Sequence, residues 1–286
     1  MKRNPILIFL IFAVLSGFSH KKYFDEMQIN IIQELNRNNL TSTSLILKKT
    51  NLDICQNFMK NMVNIDGGSF IMGCDKNYCN IDEKPLHKVK LRSFKISKFE
   101  VTQAEWKTIM GSLPQIFTKG YIKGCENCPV GGVTWNDVQI FLMRLNRKTG
   151  KKFRLPTESE WEFAAKGGNK SNGYLYSGSN YIDSVAWYDG NSNMNKSVGQ
   201  KKPNELGLYD MTGNVMEWCS DYYLVNYSKN QLNNTQSLVK GKYRVIRGGE
   251  NKSHNILDYR ITYRQYDSPD NASYGYGFRL AHDLNN

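Results

Sequence analysis

Three threonine-led helix starts constrain this chain more than any other feature. Thr102-Gln-Ala-Glu105, Thr134-Trp-Asn-Asp137 and Thr157-Glu-Ser-Glu160 each place a hydroxyl three residues ahead of an acid. Such a box satisfies free backbone N–H groups at a helix start, more weakly where Asp replaces Glu. Gly111, Gly150 and Gly167-Gly168 supply the stops, because glycine enters left-handed conformations without a Cβ clash. Pro156 just ahead of the third helix fits the same logic. Outside these helices the chain reads as turns and short strands. Residues 63–73 alternate around Gly67-Gly68 and predict a strand pair, and residues 89–99 alternate again. Residues 209–218 and 243–247 are the clearest later strands. The sum is an irregular, loop-rich α+β domain with no solenoid repeat and no second domain. The five tryptophans, Trp106, Trp135, Trp161, Trp187 and Trp218, are expected in its core. His87 is expected as a core or turn hydrogen-bonder, and His282 as exposed.

Residues 1–19 read as an export signal. Lys2 and Arg3 precede an apolar run from Ile6 to Leu15, and Gly17 and Ser19 are small residues at a cleavage position. The run is too short for a confident membrane span, so membrane association is expected only if the signal stays uncleaved. Localisation is then periplasmic, cell-surface or secreted. Residues 20–61 are read as a helical or spacer segment, with Phe24, Met27, Ile31 and Leu35 at helical spacing. The turn-rich domain is expected over residues 62–283. The net charge of +12 is spread along the 286 residues without a basic block, so nucleic acid is not an expected partner.

Export gives the six cysteines a meaning. Cys55, Cys74, Cys79, Cys125, Cys128 and Cys219 are an even set that favours disulfides. Cys125-x-x-Cys128 with Cys74-x4-Cys79 is the alternative, a four-sulfur zinc site. The connectivity stays open.

Several short pieces occur in a fixed order. They include Gly67-Gly-Ser-Phe-Ile-Met-Gly73, Phe99-Glu-Val-Thr-Gln103, Pro129-Val-Gly-Gly-Val-Thr-Trp135 and Arg154-Leu-Pro-Thr-Glu-Ser-Glu-Trp161. Then come Gly207-Leu-Tyr-Asp-Met-Thr-Gly-Asn-Val-Met-Glu-Trp218, Arg247-Gly-Gly249 and Gly277-Phe-Arg-Leu-Ala281. Each is weak alone; the ordered set resembles the formylglycine-generating enzyme (sulfatase-modifying factor) family. The resemblance implies a C-type-lectin-like fold of the formylglycine-generating-enzyme type. It also implies a structural calcium ion held by Asp210, Gly213, Val215 and Glu217, with side-chain oxygens from the acids and carbonyls from the turn. A capped turn with Glu217 in a salt bridge is the competing reading. The family's copper-binding cysteine pair would fall on Ser253 and Asp258, or on Ile256 in a second register. The last cysteine is Cys219, so no copper is expected. A Ser253–His254–Asp258 hydrolytic triad has little support from spacing alone.

Residues 250–276 have the composition of an adaptable binding loop, tyrosine among Ser, Asn and Asp. Candidate ligand-binding residues are Asn251, Ser253, His254, Asn255, Asp258, Tyr259, Tyr263, Tyr266, Asp267, Ser273, Tyr274 and Tyr276, with Arg260 and Arg264 as framework. The segment is similar to the variable C-terminal segment of retroelement-diversified variable proteins, which share this fold; an ordinary polar loop is the alternative. The expected function is non-catalytic binding of a protein or carbohydrate ligand. The rival is an enzyme of the same superfamily with other metal-dependent oxidative chemistry, such as an iron-dependent one. His87, His254 and His282 are scattered, against that rival.

Overall fold

The structure is a computed structural model that describes residues 42–118, 124–227, 240–250 and 253–284, with side chains from Ile46 onward. The expected leader, the helical pattern of residues 24–35 and Asn251 lie outside the described residues. A helix runs Ser42–Lys60. The larger compact unit starts within it, at Ile54. Ile54 and Phe58 are buried in the main core, so core packing begins ahead of residue 62.

All three capping boxes form. In each, the threonine hydroxyl accepts from the acid's backbone N–H, and the acid's carboxylate accepts from the threonine's. The helices they start run Gln103–Met110, Trp135–Thr149 and Glu158–Ala165. Gly111, Gly150 and Gly167 take the left-handed conformation at their ends.

The predicted strand pair around Gly67-Gly68 does not form. β1 (Met62–Ile65) pairs with β4 (Phe94–Ser97), while β2 (Ser69–Met72) pairs with β3 (His87–Lys90). Gly67 explains the exchange. A Cβ there would collide with the backbone of Leu91 to Ser93, and the Gly67 N–H donates to Ser93 Oγ at 2.9 Å. Two connections therefore cross in contact, and both change sheet at that point. β5 (Phe153–Arg154) and β10 (Ala281–Asp283) complete the first sheet in the order β1-β4-β10-β5. The third sheet holds β6 (Met216–Tyr222), β7 (Arg244–Arg247), β8 (Gln265–Asp267) and β9 (Tyr276–Gly277), in the order β8-β7-β6-β9.

One apolar cluster joins Trp106, Phe141, Trp218 and Phe278; a second joins Phe94, Ile96, Trp161 and Val245. Trp106 stacks on Phe141 at 5.4 Å. Trp135 and Trp187 are only partly buried, with Arg244 over the first ring and Lys201 over the second. His87 is buried, its Nδ1 3.1 Å from the Pro85 carbonyl oxygen. His282 is not exposed as predicted. It is 2% exposed, because β10 is a central strand between β4 and β5. Cys74 is bonded to Cys79 and Cys125 to Cys128, so these four sulfurs make two short loops and no zinc site. Cys55 and Cys219 are free thiols.

Candidate functional site

Two buried charge clusters organise the site, and they differ in balance. In the first, each carboxylate meets arginine. Glu158 accepts from Arg247 at 3.0 Å and from Arg264 at 2.6 and 2.9 Å. Glu162 accepts from Arg247 at 2.5 Å, Lys166 at 2.7 Å and the Gly73 N–H at 2.9 Å. Burial would raise its pKa, but Lys166 and Arg247 outweigh burial and hold it down to about 2. Glu83 accepts from Arg260 at 2.7 and 2.8 Å and from Thr262 Oγ1 at 2.7 Å. Arg260 and Arg264, read as framework in the sequence, thus nail the C-terminal segment to the short helix ends that carry Glu83 and Glu158.

The second cluster holds three buried carboxylates and one arginine. Glu217 receives Arg279 through two bonds of 2.7 Å and Trp161 Nε1 at 2.6 Å. Glu100 receives Asn214 Nδ2 at 2.8 Å and the Val215 N–H at 3.0 Å. Asp210 Oδ2 accepts from the Gly199 N–H at 2.7 Å, and its Oδ1 is buried with no partner among the described residues. Burial, then the Asp210 and Glu217 charges, push Glu100 well above the carboxylate range. Burial pushes Asp210 up to about 6. The turn between is backbone-constrained: Asp210, Gly213 and Asn214 all sit at positive φ, of 55°, 80° and 61°.

Fit to calcium can be read from these contacts. Asp210 fits, because a buried oxygen without a donor is what a hard cation would fill. Glu217 is a correction to the expected ligand set. Both its oxygens face donors, and the salt bridge weighed against the metal role is present. Glu100 also has both oxygens taken, by Asn214 Nδ2 and the Val215 N–H, so Asp210 Oδ1 is the carboxylate oxygen of this cluster that stands open among the described residues. Sequence reading missed Glu100 because it lies on the strand side of Thr102, far from the glycine turn. The only available signal was its position in the Phe99-Glu-Val-Thr-Gln103 piece.

The predicted ligand face divides into parts. Ser253 Oγ donates to Asp258 Oδ2 at 2.6 Å, and Asn255 Nδ2 donates to Asp258 Oδ1 at 3.1 Å. His254 is exposed and pairs with Asp189 Oδ2 at 2.7 Å, not with Ser253, so the triad arrangement is absent. Tyr259 is a correction. It is 1% exposed, packs edge-on against Tyr188, and its hydroxyl donates to the backbone oxygens of Glu250 and Ser253. Burial raises its pKa to about 12. It shapes the loop from below and offers no contact area. Tyr263 and Tyr276 are half-buried: Tyr263 packs on the main core, and Tyr276 lies edge-on to Trp218. The Tyr276 hydroxyl donates to Asp267 Oδ2 at 3.2 Å. Ser273 gives its carbonyl to the Gly132 N–H at 2.9 Å, and Tyr274 lies 6.1 Å from Phe117. Tyr266 is 41% exposed and stacks on Tyr223 at 3.9 Å, with Tyr243 at 5.1 Å. Tyr223 and Tyr243 thus form one tyrosine group with Tyr266, and the sequence reading did not include them.

The family profile of the sulfatase-modifying factor enzyme 1-like domain matches residues 49–284. A chaperone protein, LppX, of Paenibacillus barcinonensis is 35% identical over 57% of this chain and 71% of its own. The formylglycine-generating enzyme of Streptomyces coelicolor is 27% identical over 78% of this chain and 90% of its own. Among solved structures, Treponema denticola variable protein 1 superposes with a TM-score of 0.65 at 28% identity, over 78% of this chain and 94% of its own. These likenesses agree with the expected C-type-lectin-like, α+β fold.

Proposed function

The chain belongs to the sulfatase-modifying factor family, and from that premise we propose that it is an exported, non-catalytic binding protein. Its working surface is the exposed part of residues 253–276. One observation carries the reading. Ser253 and Asp258, the positions onto which the family's copper cysteines would fall, are hydrogen-bonded to each other at 2.6 Å. A hydroxyl closed onto a carboxylate provides no thiolate for copper. The likeness to a variable protein supports ligand binding by the same segment, and diversification of that segment is part of the proposal. The ligand is a protein or a carbohydrate. A structural calcium ion at Asp210 would hold the turn that leads into β6.

The experiment has two arms. A cysteine-containing sulfatase peptide, incubated with the protein, copper and oxygen, should show no formylglycine by mass spectrometry; turnover above background overturns the non-catalytic reading. A glycan array and a surface-protein display should each be probed with wild type and with His254→Ala and Tyr266→Ala. Hits lost in these variants support the face, and hits indifferent to both overturn it.

A further inference from the structure

The two disulfides sit in different electrostatic settings. Cys79 Sγ lies 3.3 Å from Arg260 Nη1, a donor and a cation. At the other disulfide only neutral groups are in contact: Cys125 Sγ lies 3.7 Å from the Ser197 hydroxyl and Cys128 Sγ 3.8 Å from the Asn195 carbonyl oxygen. A thiolate formed at Cys79 would receive a charge-assisted hydrogen bond, whereas one formed at Cys128 would face a carbonyl dipole. Access differs as well. Cys74 lines a cavity of about 360 Å³ together with Lys76, Tyr78, Lys166, Tyr174 and Ile261; Cys79 does not line it. Arg260 is anchored by Glu83, so it is held in place beside the sulfur before any reaction.

We propose that Cys74–Cys79 is a thiol–disulfide exchange site, with Cys74 as the attacked sulfur and Cys79 as the leaving sulfur. An incoming thiolate, from a small-molecule thiol or a cysteine on a partner protein, enters the cavity and attacks Cys74 Sγ. The new sulfur–sulfur bond forms as the Cys74–Cys79 bond breaks. The electron pair leaves on Cys79 as a thiolate, which takes the Arg260 Nη1 hydrogen bond. A second thiolate from the same dithiol, or a second thiol molecule, then attacks the mixed disulfide and releases Cys74, which takes up a proton. The protein disulfide is reduced by two electrons and the thiol pair is oxidised by two. Lower leaving-group basicity speeds the first step, and a stabilised reduced form makes the couple more oxidising. On reduction the Cys79 thiolate competes with Glu83 for Arg260, so the redox state is coupled to the anchor of the C-terminal segment.

The wild-type protein carries its own control. The folded full chain is treated with glutathione, quenched in acid, alkylated and mapped by peptide mass spectrometry over time. Glutathione should appear on Cys74 and not on Cys79. Loss of Cys74–Cys79 should outpace loss of Cys125–Cys128 by on the order of tenfold. Exposure alone would favour the reverse, because Cys125 is half-buried and both Cys74 and Cys79 are buried. Adduct on Cys79, equal or inverted rates, or no exchange at Cys74–Cys79 each overturn the proposal. As an independent check on access, with each rate divided by the thiol's thiolate fraction, Cys79→Ser should leave a Cys74 thiol that glutathione disulfide caps, and Cys74→Ser should leave a Cys79 thiol that it caps at least about tenfold more slowly, because Cys79 does not line the cavity. Capping of both at one rate removes the assigned polarity, and the proposal with it.

Discussion

The two buried charge clusters use the same side chains to opposite effect. Around Glu83, Glu158 and Glu162, every carboxylate has a guanidinium in contact, and Arg247 and Arg264 share Glu158. Around Glu100, Asp210 and Glu217 there is one guanidinium among the described residues, Arg279, and it is bonded to Glu217. The first cluster is neutralised within the protein. Among the described residues, the second leaves Glu100 and Asp210 with no ion pair of their own, and burial pushes both toward the protonated form. A buried ion pair adds little net stability relative to an apolar replacement, but breaking one strands a charge. The balanced cluster is therefore a fixed scaffold. The unbalanced one is sensitive to whatever can supply positive charge, a proton or a cation.

The largest expected effect comes from unbalancing the first cluster. Glu158→Ala leaves Arg264 without its carboxylate and Arg247 with Glu162 alone. Stranding a buried charge costs about 3–5 kcal/mol. In a protein of this size that lowers the melting midpoint by roughly 6–20 °C. A loss of only a degree or two in differential scanning calorimetry would mean that water reaches this cluster and that it is not the fixed member of the comparison.

Supplying charge to the second cluster should stabilise. Calcium at a hundredfold excess over Kd would add about 2.7 kcal/mol if it binds only the folded state. Asp210→Asn should abolish most of that shift. A midpoint unmoved by calcium or chelator removes the metal from this turn. A calcium shift that survives Asp210→Asn would place the ion elsewhere.

Asp210 and Glu162 also predict opposite pH responses. Asp210 has a folded-state pKa raised to about 6 from 3.8. The folded form therefore holds its proton where the unfolded form has lost it, and stability falls as pH rises from about 4 to 6. Asp221, raised to about 7 by burial and then by Glu158, acts in the same direction. Glu162 is the reverse: held down to about 2 from 4.5, its contribution is present above pH 4.5 and lost as pH falls toward 2. Without calcium, the melting midpoint should rise between pH 7 and 5 and collapse below pH 4. Asp210→Asn should make the upper limb shallower, leaving the part that Asp221 supplies, and leave the acid limb alone. An upper limb unchanged by that substitution would assign it to Asp221.

Much of this fold was legible because local chemistry sets it. The three Thr boxes and glycine stops needed nothing beyond neighbours in sequence. The swap of β1 and β2 between sheets was not legible, because it depends on Gly67 meeting a backbone that arrives from Leu91 to Ser93. The turn at Asp210 was visible as a motif, but Glu100 and Arg279 come from elsewhere in the chain and decide its charge. Tyrosine content marked residues 250–276, yet composition cannot tell a supporting ring from an offered one. Tyr259 and Tyr266 are seven positions apart; one closes the loop from inside, and the other stands on an edge strand.

That last contrast yields the smallest expected effect on stability and the sharpest test of the face. Tyr266 lies on β8, the edge of its sheet, and its neighbours are Tyr223 and Tyr243 rather than the apolar core. Removing it costs one partly exposed stack, about 0.5–1.5 kcal/mol beyond the area lost. The melting midpoint of Tyr266→Ala should stay within a few degrees of wild type. If the ring is offered to a ligand, affinity for a hit from the array or display should fall by about 1–2 kcal/mol, roughly five- to thirtyfold. Tyr223→Ala should weaken the same hit, because it removes the surface on which Tyr266 lies. Affinity that stays at the wild-type value in both variants, with the fold intact, would mean that the three-tyrosine edge only covers its sheet. The binding surface would then have to be sought around His254 and Asn255.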